Sequence, residues 1–339
     1  MSGSVESEVP GPAGDVGAAG RGAEPGEAVT SVIVVSHNTA ELLGRCLSSV
    51  AAAARHTEVE IIVVDNASSD GSAELVDRDF PDARLIAVGE NLGFARAVNL
   101  AVASAVGRYL LLLNPDAILH PDTIDNLVSF AEANRARSVL GGRAFEPDGT
   151  PDPRAGWALP TPWSLLCFGT GLSTAFARSA TFDPEAAPAT TSGEVTEVGA
   201  VSGALLFVRH DLWDEVGGFD PDYFMYSEDI DFCLRARSFG CRPAVVPHAG
   251  ITHAAGASST APAKMVLVMK GKATYLRKHW AGPRLCFGLA MLWCGAALRA
   301  LIDRLRRRLR PGAVGTVWPH VFSERATWLG GYPPARSES

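Results

Sequence analysis

The sequence predicts an α/β protein whose central sheet is mostly parallel and carries helices on both faces. Two observations predict it. Short β-branched or leucine-rich runs alternate with segments of helical periodicity from Ser31 to Phe130. The chain also has 339 residues, 47% hydrophobic and 20% charged, which describes one large α/β domain or two smaller ones and not a disordered chain.

In order, Ser31–His37 reads as a buried strand, followed by a helix through Leu42, Leu43, Leu47 and Val50. Glu60–Asp65 is a second strand, and Asn66–Ser72 is a turn leading to a helix at Ala73–Val76. Arg84–Val88 is a third strand with a helix around Phe94–Val106, and Arg108–Asn114 is a fourth, followed by a helix from Pro121 to Phe130. Asp148 to Ser192 is rich in Pro, Ala, Ser and Thr and reads as a long, partly mobile loop, with Trp157 and Trp163 as candidate anchors. Glu197–Val208 returns as a strand, His210–Val216 as a helix, Val245–His253 as a strand and Ala263–Trp280 as a helix.

Residues 1–29 hold almost no large apolar side chain and read as a disordered tail without a secretory signal. Leu285–Ile302 is apolar apart from Arg299 and runs into Arg304, Arg306, Arg307, Arg308 and Arg310. That combination suits a helix lying on an anionic membrane surface; a soluble packed helix and a spanning helix remain the alternatives. A net charge of −7 argues against nucleic acid as a partner. Cys46, Cys167, Cys233, Cys241, Cys286 and Cys294 form no CxxC pair and read as reduced thiols of a cytosolic protein.

In a parallel sheet, ligands bind beyond the carboxyl ends of the strands. Those ends carry Ser36-His37-Asn38, Asp65-Asn66, Glu90-Asn91 and Asn114-Pro115-Asp116, which read as one site. Asp116 suits a ligand for Mg²⁺ or Mn²⁺, although Asn-Pro-Asp also favours a plain turn. Asp65 suits hydrogen bonding to a base or ribose, or capping of the turn that follows it. Gly93 allows close backbone approach, and Arg96 near a helix start suits a diphosphate. His253 follows a strand and could complete a metal site with Asp116 or be structural. No GxGxxG follows the first strand and no P-loop is present.

The acidic trio Glu228, Asp229 and Asp231 sits in an aromatic block, Phe219-Asp-Pro-Asp-Tyr-Phe-Met-Tyr-Ser227, at the start of a short helix ending near Gly240. A carboxylate flanked by apolar walls suits a general base. Helix capping and an Asp231–Arg235 pair are the alternative roles.

In their joint order, Val32–Asn38, Val63–Ser72, Asn91–Asn99, Leu110–Asp116, Val201–Arg209 and Gly217–Gly240 resemble glycosyltransferase family 2, notably its rhamnosyltransferase-like members in bacterial cell-wall and polysaccharide assembly. The resemblance covers roughly residues 30 to 255. It implies a GT-A fold with a Rossmann-like sheet, here with a C-terminal helical extension. It implies an inverting, metal-dependent hexosyl transfer, with dTDP-rhamnose as donor and a glycan or polyprenyl-linked glycan as acceptor. UDP-galactofuranose or a UDP-hexose is the alternative donor, and a non-catalytic nucleotide-sugar-binding protein the alternative class.

By that resemblance Asp229 is the general base, and Glu228 and Tyr226 contact the acceptor. Ser36, Asp65, Asn91, Gly93, Arg96, Asn114 and Asp116 hold the nucleotide sugar. Asp116 and His253 bind the metal, Mg²⁺ or Mn²⁺. Asn114 stands where the family more often has an acid, and the same replacement is usual in the rhamnosyltransferase-like branch. Tyr223, Phe224 and Tyr226 would wall the acceptor pocket. The expected organisation is a transferase domain over 30–260, with a nucleotide-sugar half at 30–118 and an acceptor half at 119–260. A helical, basic, membrane-associating segment follows at 261–312, then an irregular tail at 313–339. The expected location is the cytoplasm, peripheral at the inner face of the cell membrane.

Overall fold

The computed structural model describes residues 29–152, 155–186, 193–253, 261–309 and 317–335. The tail expected over residues 1–29 thus lies outside the described residues, except for Val29, which is buried.

The first elements are β1 (Thr30–Ser36), α1 (Ala40–Ala53), β2 (Val59–Asp65), α2 (Ser72–Asp79), β3 (Arg84–Ala87), α3 (Phe94–Val102), β4 (Tyr109–Leu113), β5 (Ala117–Leu119) and α4 (Thr123–Ala133). Val32–Val34, Ile62–Val64 and Leu110–Leu112 are fully buried. Both faces of these strands are covered, so their sequences run unbroken rather than alternating. Helix α1 turns Leu43, Cys46, Leu47 and Val50 inward at helical spacing.

After these come β6 (Val139–Phe145), β7 (Pro151–Asp152), β8 (Gly156–Trp157), α5 (Pro162–Thr170), α6 (Leu172–Ala175), β9 (Thr196–Glu197), β10 (Ala200–Val201) and β11 (Leu205–Arg209). Strand β6 sits deep in the sheet but is weakly marked in sequence, because Gly141-Gly142 dilutes its β-branched signal. The segment expected as a loop over 148–192 instead contains α5. Its start is fixed by a capping box, with Thr161 and Ser164 bonding each other's backbone N–H, and by Pro162 in the first turn.

The chain finishes with α7 (His210–Val216), α8 (Glu228–Arg237), β12 (Ala244–His253), α9 (Ala261–His279), α10 (Gly282–Leu309), α11 (Val317–Ser323) and α12 (Arg325–Leu329). Strands are ordered β3-β2-β1-β4-β11-β6-β12-β5. The four strands β3, β2, β1 and β4 are parallel, as are β6 and β12, while β11 is inserted antiparallel between β4 and β6. Strand order reverses at β1, opening a crevice beyond the ends of β1 and β4.

The C-terminal helices build a second core with Leu276, Leu292, Val321 and Trp328, into which Leu165 of α5 also packs. Trp328 is fully buried and its Nε1 donates to the Val321 carbonyl at 2.7 Å. An indole of that kind buries about 150–250 Å². The region from 317 to 329 is therefore anchored helix, not the irregular tail its composition suggests; the aromatic residues that look scattered in sequence converge on α9 and α10.

Arg299 interrupts the apolar run of α10 for a reason. It is buried, donates to the Phe168 and Gly295 carbonyls and to Ser173 and Thr174, and lies over the Phe168 and Trp318 rings at 4.1 and 5.3 Å. The guanidinium thus faces α5 and α6, while Phe287, Trp293, Leu301, Ile302, Leu305 and Leu309 stay exposed on α10. Among the described residues α10 is the one helix long and apolar enough to cross a membrane, although a third of its most apolar stretch is buried within the protein. The cysteines are all free; Cys46, Cys167, Cys233 and Cys241 are buried, whereas Cys286 is exposed on α10.

Candidate active site

At the end of β2, Asp65 is buried. Its Oδ2 accepts from the Ser68 N–H at 3.0 Å, which is the turn-capping role, but its Oδ1 has no hydrogen-bond partner among the described residues. A buried carboxylate oxygen without a donor is unfavourable, so it fits a donor brought by a ligand. Next to it, Asn66 donates to Asn91 Oδ1 (3.0 Å) and accepts from the Leu92 N–H (2.8 Å). Asn91 also accepts from the Gly93 N–H. Ser36 is buried at the end of β1, its hydroxyl bonded to Thr39 at 2.9 Å.

Gly93 has a φ of +79°, and a Cβ there would collide with the Phe224 carbonyl and ring. That close approach lets the Phe94 N–H donate to the Phe224 oxygen at 2.7 Å, latching α3 to the aromatic block. Arg96 is exposed in the first turn of α3, and its Nε donates to the Pro221 carbonyl at 3.1 Å.

At the end of β4, the Ala117 N–H donates to the Asn114 carbonyl, so Asn114-Pro-Asp116 is a tight turn. The chain then enters β5, whose Ala117 pairs with His253 at the end of β12. One residue earlier, Asp116 Oδ1 lies 3.1 Å from His253 Nε2, with both side chains largely buried. Strand register thus brings together two residues 137 positions apart (253 − 116). Strand β12 reaches that register through a bulge between Val246 and Gly250, beside Pro247, which has no N–H to give the ladder.

Helix α8 begins at Glu228, with the acidic trio in its first turn. It is launched by two consecutive left-handed residues, Tyr226 (φ +69°) and Ser227 (φ +75°). For side-chain-bearing residues such a conformation costs about 1–3 kcal/mol each, and the surrounding fold must hold it. Asp229 is partly exposed; its Oδ2 accepts from the Gly203 N–H at 3.0 Å and its Oδ1 from the Ile230 N–H at 2.8 Å. Desolvation pushes its carboxyl above the ordinary aspartate value, against the pull of those backbone N–H groups.

Glu228 is buried, with Oε2 unpartnered among the described residues, and desolvation followed by the neighbouring Asp229 pushes it well above the usual range. Asp231 differs. Burial alone would raise it, but bonds from His279 (2.7 Å) and Arg235 (2.8 Å) outweigh burial and hold it low. Asp231 is a structural anion, as the i, i+4 spacing to Arg235 predicts. Tyr223 is fully buried and belongs to the core, so it does not wall an acceptor pocket; Phe224 and Tyr226 remain half-exposed.

These pieces meet through the Ser202-Gly203-Ala204 turn between β10 and β11. Gly203 donates to Asp229, and the Ala204 carbonyl accepts from the Asn114 N–H at 3.2 Å. One turn therefore bonds both Asp229 and Asn114, which lies two residues before Asp116. The sequence marks that turn only as part of a strand, and nothing in it signals the Gly203 N–H as a partner of Asp229.

A raised carboxyl costs stability at neutral pH. The folded state holds the Glu228 proton more tightly than the unfolded chain, so its contribution worsens as pH rises from about 4.5 through the folded value. Glu228→Gln is expected to raise Tm at pH 7–8, with the gain vanishing below about pH 4.5, as read by thermal melts across pH.

The family model for Glycosyl transferase family 2 matches residues 31–182. Over 270 residues the chain is 30% identical to the N-acetylglucosaminyl-diphospho-decaprenol L-rhamnosyltransferase of Mycobacterium tuberculosis, covering 73% of this chain and 83% of that one. It is 29% identical over 224 residues to the rhamnosyltransferase WbbL of Escherichia coli, covering 64% of this chain and 80% of WbbL. In structure it is similar to the mannosyltransferase PcManGT of Pyrobaculum calidifontis, solved with GDP-Man and Mn²⁺, at a TM-score of 0.54 and 19% identity over 88% of this chain and 84% of that one; at that identity the likeness speaks for the fold. On this sequence similarity and this sheet, the chain belongs to glycosyltransferase family 2, a rhamnosyltransferase-like enzyme on a GT-A fold.

Proposed function

We propose that the protein catalyses inverting, metal-dependent transfer of L-rhamnose from dTDP-rhamnose to a hydroxyl of a lipid-linked glycan. The observation that carries this reading is a single turn, Ser202-Gly203-Ala204, bonded both to the partly exposed carboxylate Asp229 and to Asn114, two residues before Asp116 with its partner His253. Asp116 and His253, one carboxylate and one imidazole, would hold Mn²⁺ or Mg²⁺. When bound, such an ion supplies positive charge to the diphosphate leaving group.

Asp65 Oδ1 accepts from the base or ribose, which satisfies its buried oxygen. Ser36, Asn91, Gly93, Asn114 and Arg96 belong to the same donor cleft, and Asn91 fixes the Gly93 turn by accepting its N–H. Asp229 takes the acceptor hydroxyl proton as the oxygen attacks the anomeric carbon, and a single displacement inverts that centre. Glu228 and Tyr226 line the acceptor side. The exposed Leu301, Ile302, Leu305 and Leu309, interleaved with exposed Arg304, Arg306, Arg307 and Arg308, suit an anionic membrane surface at the cytoplasmic face, where a polyprenyl-linked acceptor is presented.

The test is a donor screen measuring nucleoside diphosphate release, with Mn²⁺ and with a short-chain N-acetylglucosaminyl-diphospho-prenol as acceptor, in the presence and absence of phosphatidylglycerol vesicles. dTDP-rhamnose is expected to be turned over, faster with vesicles. Turnover of UDP-galactofuranose or a UDP-hexose in its place would overturn the donor.

A further inference from the structure

We propose that Tyr332, outside every motif of the sequence, is a positioning residue that sets the geometry of Asp229. The proposal rests on the assignment of Asp229 as the general base.

After α12 the chain turns at Gly331 (φ +75°) and lies back across the acidic block. The Tyr332 N–H donates to Thr274 Oγ1 at 2.8 Å, which ties it to α9. Its hydroxyl donates to the Met225 carbonyl at 2.8 Å. The Ala335 N–H donates to Asp222 Oδ1 at 2.6 Å, and Lys278 of α9 bridges Asp220 and Asp222 at 2.6 Å each. The loop ahead of Asp229 is thus tied from outside at Asp220, Asp222 and Met225.

Met225 is the informative attachment. It immediately precedes Tyr226 and Ser227, the two left-handed residues that aim α8 and its first-turn carboxylates. Nothing local favours that conformation in non-glycine residues, so it persists only because surrounding contacts impose it. From below, Gly271 of α9 lets the helix backbone press against the Tyr226 carbonyl, where any side chain would collide. From above, the Tyr332 hydroxyl fixes the preceding carbonyl, while its ring is held edge-on to Tyr223 at 6.5 Å and under Lys270 at 4.9 Å. A ring held between Tyr223 and Lys270, with its one polar atom on the loop backbone, constrains the loop rather than merely filling space.

Tyr332→Phe keeps the ring and deletes the bond to Met225. It is expected to lower kcat by roughly ten- to a hundredfold, the effect of a small misplacement of a catalytic group. The donor KM and Tm are expected to stay near wild type. Hydrogen exchange on the full-length protein is expected to rise in peptides covering 222–231 and nowhere else. Exchange unchanged across 222–231 overturns the proposal without any substrate. So does exchange that rises while kcat holds, or a kcat loss matched by an equal fall in Tm. Asp229→Asn, assayed alongside with dTDP-rhamnose and the same prenol acceptor, separates the two ideas. If Asp229→Asn stays active the base assignment fails, whereas an inactive Asp229→Asn beside a fully active Tyr332→Phe removes Tyr332 alone.

Discussion

Asp229→Asn is expected to lower kcat by about 10²–10⁴-fold, the range that general-base removal commonly costs. The substitution keeps the size and one accepting oxygen, but it sets an NH2 against the N–H of either Gly203 or Ile230, so one backbone bond is lost together with the ability to take a proton. Stability is expected to change little, because relief of the desolvated charge is offset by the lost backbone bond. Donor KM is expected to change little, since the proposed base acts on the acceptor hydroxyl and not on the donor. The pH profile supplies an independent check. A base must be ionised, so activity falls as pH drops through its folded pKa, which lies above the ordinary aspartate value of 3.8. An acid limb at or below 3.8 in kcat/KM, or substantial turnover by the Asn variant, would assign the base elsewhere.

Asp116→Ala and His253→Ala are expected to lower kcat/KM by about 10²–10³-fold at fixed Mn²⁺, the size of losing a charge stabiliser at a leaving group. Excess EDTA is expected to abolish wild-type turnover, and Mn²⁺ to restore it. The discriminating measurement is rate against Mn²⁺ concentration. If the two side chains bind the ion, His253→Ala shifts that curve to higher Mn²⁺ by at least about tenfold. If their 3.1 Å contact only staples β5 to β12, both variants lose Tm while the Mn²⁺ dependence stays where it was. Since β5 and β12 remain paired through their backbones, a large stability loss is not expected.

The sequence announces the crevice more clearly than it announces the chemistry in it. Asp65, Asn66, Asn91 and Asp116 are legible because each ends or follows a strand whose apolar run leaves no doubt about direction, and strand ends in a parallel sheet share one edge. The acidic trio is legible as a helix start, and its Asp231 separates early through the Arg235 spacing. Less legible is β6, since Gly141-Gly142 in its centre lowers the apolar signal, and α5, whose capping box hides in a Pro- and Ser-rich stretch. Both depend on partners for their stability: β6 on β11 and β12, α5 on α10.

What the sequence determined by itself is whatever rests on neighbours along the chain: the alternation of strands and helices, their direction, the glycine that opens α3, and the carboxylates in the first turn of α8. These follow from local periodicity and backbone preference, which a run of residues carries with it. The tertiary structure alone decided which distant groups meet. Strand register sets His253 against Asp116, a turn between two strands gives Asp229 its Gly203 donor, and helices α9 to α12 bring Arg299 inward and Tyr332 onto the loop ahead of Asp229. Such contacts are settled by the burial of whole faces, so no short stretch of sequence records them, and the site exists only where the two kinds of determination coincide.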